Sequence, residues 1–178
     1  MLNQYLTMMT TVRGETPDGF KYPCIEGLVL AEGRDFVSAP LTPDQHRYVR
    51  EVVNLAGRRF PWKECFATSQ RIKALYDFDS RLDYYEGYAS SFAFPVHHGW
   101  LVLDGERVID LTWRKQGIKP TRLKLEHTRV FGEFPEGWAY RGLFAADRDE
   151  IKARAVKYRE WGSFLDDWRE GYPRLRVA

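Results

Sequence analysis

The stretch HHGWLVLDGERVIDLTW, from His97 to Trp113, contains two apolar runs separated by an Asp-Gly pair. Apolar runs that flank such a pair indicate a β-hairpin. Both faces of each run are largely apolar, which predicts a central hairpin that is covered on both sides. Yet His98 stands where the first strand begins and Asp110 where the second ends, so the open end of the hairpin carries a titratable pair.

Two turn geometries fit this hairpin. A two-residue Asp104-Gly105 turn of type I′ puts His98 and Asp110 on opposite faces of the hairpin. A three-residue loop that ends in a left-handed glycine forms a bulge and places His98 directly opposite Asp110. We favour the second geometry because a buried lone carboxylate is unfavourable, whereas a carboxylate bonded to an imidazole is not.

Helical patterns precede the hairpin. The sequence LTPDQHRYVREVVNLAG predicts a helix in which Thr42 is the N-cap, Gln45 completes a capping box and Gly57 ends the helix. A second helix is predicted over residues 64–76. Cys65 therefore falls in or near the first turn of this second helix.

Aromatic-rich runs indicate further strands. LDYYEGYASSFAF, residues 82–94, precedes the hairpin, and WAYRGLFA, residues 138–145, follows it. Asp147 and Glu150 then form the capping pattern of a last long helix. Helices near both ends of the chain and strands between them predict an α+β fold, with a central antiparallel β-sheet packed against helices.

The length of 178 residues fits a single domain over 1–178. We expect its core at 42–160, an N-terminal β segment at 1–40 and a loosely held C-terminal tail at 169–178. Within the N-terminal segment, IEGLVLA and DFVSA have the pattern of short strands that flank a turn.

Composition excludes several classes of protein. An apolar content of 44%, a charged content of 29% and a net charge of +2 are ordinary for a globular protein and favour no particular partner. Two cysteines, Cys24 and Cys65, make no disulfide framework and lack zinc spacing, so we expect a reducing cytoplasm, no metal and no cofactor. No signal peptide and no membrane span are predicted.

Three side chains of the predicted elements suit nucleophilic catalysis. Cys65 lies near a helix N-terminus, where the dipole and the free N–H groups favour a thiolate. His98 can accept and supply a proton, and Asp110 can orient the imidazole and stabilise its charged form. Cys24 has no comparable context, and we assign it a structural role.

These residues belong to an ordered set of motifs, ECFATSQRI, YYEGYA, VHHGWLVLDGERVIDLTW and WAYRGLFA. The set resembles a pattern of small phage and bacterial proteins and is similar to the core of the transglutaminase-like, papain-like cysteine superfamily. It covers roughly residues 60–145, and Gly99 replaces the alanine that is usual in the pattern. The resemblance implies a papain-like or transglutaminase-like core with a Cys65-His98-Asp110 triad.

Further residues are expected around this triad. Trp100 and Trp113 either pack beside the imidazole and contact substrate or serve the core. Glu86 either hydrogen-bonds at the site, where it would contact substrate, or serves the fold. His97 faces away from His98 by strand alternation and is expected to form a hydrogen bond at the rim of the site.

An oxyanion is stabilised in acyl transfer by donors near the nucleophile. The backbone N–H of Cys65 is one candidate donor. A side chain of the preceding helix, Gln45 or Asn54, is another.

The sequence thus predicts a cysteine-dependent acyl-transfer enzyme, with amide or peptide hydrolysis, deamidation or transamidation as outcomes. Its substrate would be a protein, a peptide or a small amide, and neither a membrane nor nucleic acid is an expected partner. The alternative is a non-catalytic binding or inhibitor protein of phage or bacterial origin on the same scaffold. A nucleic-acid accessory domain is a third, weaker hypothesis.

Overall fold

The computed structural model describes residues 1–57, 59–61, 63–91, 94–115 and 124–177. The predicted α+β class with a central antiparallel sheet is confirmed. None of the helices in these ranges combines the length and the apolar content needed to cross a membrane. The helices are α1 (Leu2–Arg13), α2 (Ile25–Glu32), α3 (Pro43–Leu55), α4 (Cys65–Leu75), α5 (Leu125–Thr128) and α6 (Arg148–Tyr158), and the strands are β1 (Arg34–Asp35), β2 (Leu82–Ser90), β3 (Val96–Leu103), β4 (Arg107–Asp110), β5 (Val130–Phe131) and β6 (Ala139–Ala146).

The six strands form one sheet in the order β1-β6-β2-β3-β4-β5, and all neighbours are antiparallel. The central pair is β2 and β3, in which Gly87 lies opposite His98 and Glu86 lies opposite Gly99. The strands predicted at 82–94, in the hairpin and at 138–145 are therefore all present, although the part of the first that lies at 92–93 falls outside the described residues.

The two faces of the sheet pack differently. On one face, Leu101 and Ile109 pack against the apolar sides of α3 and α4. On the other face, Trp100 lies in a largely aromatic cluster with Tyr140 and Trp138. His98 shares this second face with Trp100 because alternate residues of a strand point the same way.

The capping signals of the helices are confirmed. Thr42 and Gln45 form a reciprocal capping box at the start of α3. Asp147 and Glu150 do the same at the start of α6. Such boxes satisfy N–H groups that a helix leaves without intrahelical partners, which is why the sequence locates these two helix starts closely.

The β3–β4 turn combines both predicted geometries. Asp104 and Gly105 have positive φ angles of 50° and 72°, and the N–H of Glu106 donates to the carbonyl of Leu103, as in a type I′ turn. The ladder nevertheless pairs Leu103 with Arg107, so one extra residue follows the turn as a bulge.

The resulting register places His98 and Asp110 on one face without making them direct partners. Leu101 pairs with Ile109, so the next position of the ladder sets Asp110 beside Trp100. The predicted direct His98–Asp110 pair is therefore wrong by two residues. A shift of two keeps both side chains on the same face, and diagonal neighbours remain within reach of long side chains.

The N-terminal segment 1–40 contains two helices, α1 and α2, which cover half of it, so the β segment predicted there is wrong. IEGLVLA forms α2, whose N-terminus is capped by the Cys24 thiol, which accepts the N–H of Gly27 at 3.4 Å. A short apolar run fits a buried helix as well as a buried strand. Here Leu28 packs with Leu6 of α1 against the sheet, and only the start of DFVSA pairs, as part of β1.

The C-terminal tail is held in place, in contrast to the prediction for 169–178. Residues 168–170 and 173–175 form short 3₁₀-helices. Leu175 is 5% exposed and packs in the cluster of α1 and α2, so the core extends beyond the predicted 42–160. The backbone of Lys21 donates to the carbonyl of Leu175 at 2.7 Å.

Candidate active site

Cys65 is positioned by the N-terminus of α4. The helix begins at this residue, and the preceding Glu64 makes no side-chain capping bond. Orphan N–H groups of a first helical turn favour negative charge on a nearby thiolate or oxyanion. Lys63 has a φ of 69°, a left-handed conformation that is strained for a residue with a side chain and that recurs beside functional groups.

The close contact between α4 and β3 brings Cys65 to the start of that strand. Ser69 of α4 donates its hydroxyl to the carbonyl of Gly99 at 3.2 Å. A Cβ added at Gly99 would lie 2.9 Å from the Phe66 ring and 2.9 Å from the Tyr84 hydroxyl. Glycine at this position therefore permits the approach that sets the thiol beside His98.

His98 and Asp110 form a buried pair. The Nε2 atom of His98 lies 2.6 Å from Oδ2 of Asp110, and the two side chains are 3% and 1% exposed. Tyr140 donates its hydroxyl to the same oxygen at 3.1 Å. The other oxygen accepts the N–H and the hydroxyl of Thr112, both at 2.9 Å, and the N–H of Trp113 at 3.1 Å.

The Cys65 thiol lies beside the His98 imidazole and interacts with it. Because Asp110 occupies Nε2, the nitrogen left for the sulfur is Nδ1. The structure thus brings the three predicted residues together, in the order thiol, imidazole, carboxylate. This order is the one in which a base activates a nucleophile and a third group orients the base.

Electrostatics within the row favour its charged form. Burial opposes the charge of Cys65, but the His98 imidazole and the backbone N–H of Gly99 leave the pKa of the thiol below its ordinary value. Burial also opposes charge on His98, but the carboxylate of Asp110, together with Cys65, raises the pKa of the imidazole to about 10. The pKa of Asp110 is lowered, because the His98 charge and the backbone donors outweigh burial. A thiolate–imidazolium pair is the expected state near neutral pH.

The thiol and the imidazole line an open cleft of about 840 Å³. Two cationic side chains, Lys63 and Arg114, also line it, and no acidic side chain does so among the residues that the structure describes. The remaining walls are largely apolar, and their aromatic and aliphatic members are Phe66, Phe94, Val96, Trp113 and Trp138.

The two predicted tryptophans differ in position. Trp113 lines the cleft and covers the imidazole, with its ring centroid 4.9 Å from that of His98. Trp100 is fully buried, and its indole lies over Gly142, where a Cβ would come within 2.6 Å of the ring. Trp100 therefore supports the site from the core and does not contact the cleft.

Glu86 lies outside the cleft lining, so the contact with substrate predicted for it has no support from its position. Its carboxylate is 0% exposed and accepts the hydroxyls of Tyr84 and Ser163 at 2.5 and 2.6 Å. It also accepts the N–H groups of Phe164 and Leu165 at 2.9 and 3.0 Å. Glu86 anchors the segment after α6 to the sheet, which is the fold-serving alternative.

His97 lies at the cleft as expected for a rim residue. Its ring stacks on Tyr88 and contacts the edge of Phe66. Its Nε2 is buried, lies 3.8 Å from Glu86 and makes no hydrogen bond.

The side-chain oxyanion donors that were predicted on α3 are not at the site. Gln45 is engaged by the backbone of Thr42 and by Asp104 at 3.0 Å. Asn54 lines a separate pocket beside α5. The backbone N–H of Cys65 is the predicted donor that remains next to the sulfur. No group of three His, Cys, Asp or Glu side chains within the described ranges could hold a metal ion.

Sequence reasoning missed two partners of Asp110. Thr112 follows it by two residues and donates both its N–H and its hydroxyl, and this Asx-turn pattern could have been found in IDLTW. Tyr140 comes from β6, which is separated from β4 by two strands. No local signal in the sequence places its hydroxyl near Asp110.

Comparison of the chain with protein-family models, with curated proteins and with solved structures finds no match. The geometry of the site is therefore the basis for a functional conclusion.

Proposed function

We propose that this chain is a cysteine-dependent acyl-transfer enzyme built on a papain-like or transglutaminase-like core. The single observation that carries the proposal is the row of Cys65, His98 and Asp110 beside the cleft. Its substrate would be an amide of a protein, a peptide or a small molecule, and its free thiols suit a reducing compartment such as the cytoplasm.

The first half of the proposed reaction forms a thioester. The Cys65 thiolate attacks the carbonyl carbon, and the backbone N–H of Cys65 stabilises the oxyanion. The C–N bond breaks as the His98 imidazolium gives its proton to the departing amine. The acyl group is then bonded to the sulfur, and His98 is neutral.

The second half releases the acyl group. Neutral His98 takes a proton from water or from an acceptor amine, whose oxygen or nitrogen attacks the thioester carbon. The C–S bond breaks and returns the thiolate–imidazolium pair. Water gives hydrolysis or deamidation, and an amine gives transamidation, so the acceptor decides the outcome.

Acetylation by p-nitrophenyl acetate tests this proposal. We expect rapid release of nitrophenolate and an acetyl group on Cys65 in mass spectra of acid-quenched protein. Cys65→Ser and His98→Ala should both lose the fast phase, while Cys24→Ser should keep it because serine can replace the thiol as the cap of α2. Slow acetylation that does not depend on His98 would favour the non-catalytic binding protein.

A further inference from the structure

Arg129 is a buried arginine, and two of its guanidinium nitrogens have no acceptor in the part of the chain that the structure describes. The residue lies between α5 and β5 and is 7% exposed. Its Nε and Nη1 atoms are buried and make no hydrogen bond, and it forms no ion pair with any residue that the structure describes. Burying a guanidinium without a partner is unfavourable by several kcal/mol in general. An anionic ligand would relieve this.

Backbone contacts place Arg129 next to the cleft. The N–H of Lys115 donates to the carbonyl of Thr128 at 3.1 Å, and Asp110 pairs with Val130 in the sheet. The chain that leaves the active site after Asp110 therefore runs beside Arg129. Arg114, which lines the cleft, belongs to this stretch and is exposed.

The charges of Arg114 and Arg129 act on each other. Burial lowers the pKa of Arg129, and the positive charge of Arg114 lowers it further. The negative charge of Asp110 offsets part of this effect, but the Asp110 carboxylate is already bonded to His98, Tyr140, Thr112 and Trp113. An anion near Arg114 and Arg129 would be attracted by both cations.

The sequence around these two arginines is strongly basic, although the whole chain has a net charge of only +2. Between residues 114 and 129 the only acidic residue is Glu126, which lies 3.7 Å from Arg50 of α3. Within the described part of this stretch, the cationic residues are Arg114, Lys115, Lys124 and Arg129. A local excess of this kind creates a positive potential that attracts anions.

The cleft also has an apolar wall. Trp138 lines the cleft, although its indole N–H is itself buried and makes no hydrogen bond. Phe94 is 86% exposed at the same cleft. A ligand with an apolar group fits this lining.

We propose that the cleft binds an acyl donor that carries an anionic group, a carboxylate or a phosphate. Arg114 would hold this group, the charge of Arg129, which lies outside the cleft lining, would add to the attraction, and the apolar part of the donor would pack on Trp113. The proposal rests on the acyl-transfer function proposed above. It adds that the site selects substrates whose negative charge complements the positive charge of these arginines.

A matched pair of thiol reagents tests this selection. N-ethylmaleimide is neutral, and 3-maleimidopropionate has the same reactive ring with a carboxylate several bonds away. We expect the rate ratio of the charged to the neutral reagent at Cys65 to exceed the ratio for N-acetylcysteine by about tenfold, as one charge-assisted hydrogen bond would give. The excess should shrink at high salt.

Three charge variants locate the effect. Arg114→Gln should lower the rate ratio by about tenfold, to that of N-acetylcysteine, and Arg129→Gln should lower it by a smaller factor. Arg47→Gln removes the same charge from an exposed side chain of α3 that does not line the cleft, and it should leave the ratio unchanged. Arg114 is exposed, so its variant decides the question even if Arg129→Gln fails to fold.

The outcomes separate this inference from the proposed function. A neutral-reagent rate that is fast and depends on His98, combined with a rate ratio equal to that of N-acetylcysteine, would overturn the anion site alone. A slow rate independent of His98 would overturn the acyl-transfer function, and the inference with it.

Protection by sodium succinate or sodium phosphate at constant ionic strength would support the site and identify its preferred anion. Stronger protection by a thymidine oligonucleotide than by either salt would replace the acyl donor with nucleic acid.

Discussion

Asp110 sets both the charge and the orientation of the candidate site. Its carboxylate accepts five hydrogen bonds, from His98, from Tyr140, from the backbone and the hydroxyl of Thr112 and from the backbone of Trp113. A carboxylate with this many donors stays ionised even when it is buried. The fixed carboxylate in turn holds the imidazole so that its second nitrogen is left for the thiol.

The pH dependence of Cys65 chemistry follows from these charges. The pKa of the Cys65 thiol is lowered, so Cys65 should still be a thiolate at pH values at which an ordinary cysteine is already protonated. The pKa of His98 is raised to about 10, so the imidazolium needed by the leaving group should be lost only as pH rises through about 10. We expect iodoacetamide rates to define the acid limb. Turnover of an anilide such as p-nitroacetanilide, whose leaving amine needs the proton of His98, should define the alkaline limb.

Asp110→Asn is the variant that tests this assignment. Without the carboxylate charge, the alkaline limb should move below pH 10, and the rate at about pH 7 should fall by about tenfold or more. An alkaline limb that stays in place in this variant would contradict the role given to Asp110.

The residues of the row could be predicted from the sequence, and their exact pairing could not. Cys65 follows a helix-start pattern, and His98 and Asp110 stand at the open end of an apolar hairpin, so local signals mark all three. The bulge after Gly105 shifts the β3–β4 register by two residues from the predicted one. The sequence could not decide between the two registers, because the turn residues and the alternation of faces fit both. Tyr140 depends on the strand order of the whole sheet, which no local pattern specifies.

At the scale of elements, the site depends on how closely α4 approaches β3. Gly99 faces α4 and lies within contact of Phe66 and Tyr84. The usual alanine of the resembling pattern would not fit this arrangement without displacing one of them. Helix α4, which carries Cys65, can therefore lie this close to β3 because residue 99 has no side-chain methyl group.

Gly99→Ala should therefore reduce reactivity more than stability. The added Cβ would meet two side chains at 2.9 Å, and a shift of α4 by a fraction of an ångström misaligns the thiol with His98. We expect the iodoacetamide rate at Cys65 to fall by about tenfold or more with a free energy of unfolding lowered by about 1–3 kcal/mol.

Gly162→Ala is a suitable control for this variant. A Cβ there would lie 3.1 Å from the guanidinium of Arg154 and 3.6 Å from the carboxylate of Glu160, and both groups are at the far ends of flexible side chains. An equal loss of alkylation rate in both variants would show that Gly99 has no special role in placing α4.

Glu86 is expected to act on stability, because it joins β2 to the segment after α6. Glu86→Ala leaves the hydroxyls of Tyr84 and Ser163 and two backbone N–H groups without their acceptor. We expect the free energy of unfolding in urea to fall by about 3 kcal/mol or more. Glu51→Ala, on an exposed part of α3, should change it by less than about 0.5 kcal/mol. If Glu86→Ala keeps normal stability but loses much of the reactivity at Cys65, Glu86 acts at the cleft and not on the fold.

At the scale of the whole molecule, the two ends of the chain close over the same part of the sheet. Leu2 and Leu6 of α1, Leu28 of α2 and Leu175 of the tail share one cluster. The sequence did not reveal this cluster because its members are far apart along the chain. Each segment alone is short, so its apolar residues fit a strand, a helix or a loose tail equally well.

The tail should therefore contribute to global stability. Leu175 is 5% exposed, whereas Val177, two residues later, is 63% exposed, and the backbones of both bond to the segment at 19–21. Leu175→Ala should lower the free energy of unfolding by about 3 kcal/mol, which is roughly 6–12 °C in melting temperature for a chain of this size. Val177→Ala, which keeps the same backbone bonds, should melt within about 2 °C of the parent protein.

Thermal melts followed by circular dichroism separate the two expectations. Equal melting temperatures for both variants would mean that the tail opens without unfolding the sheet, and the loosely held tail expected from the sequence would then be correct in solution.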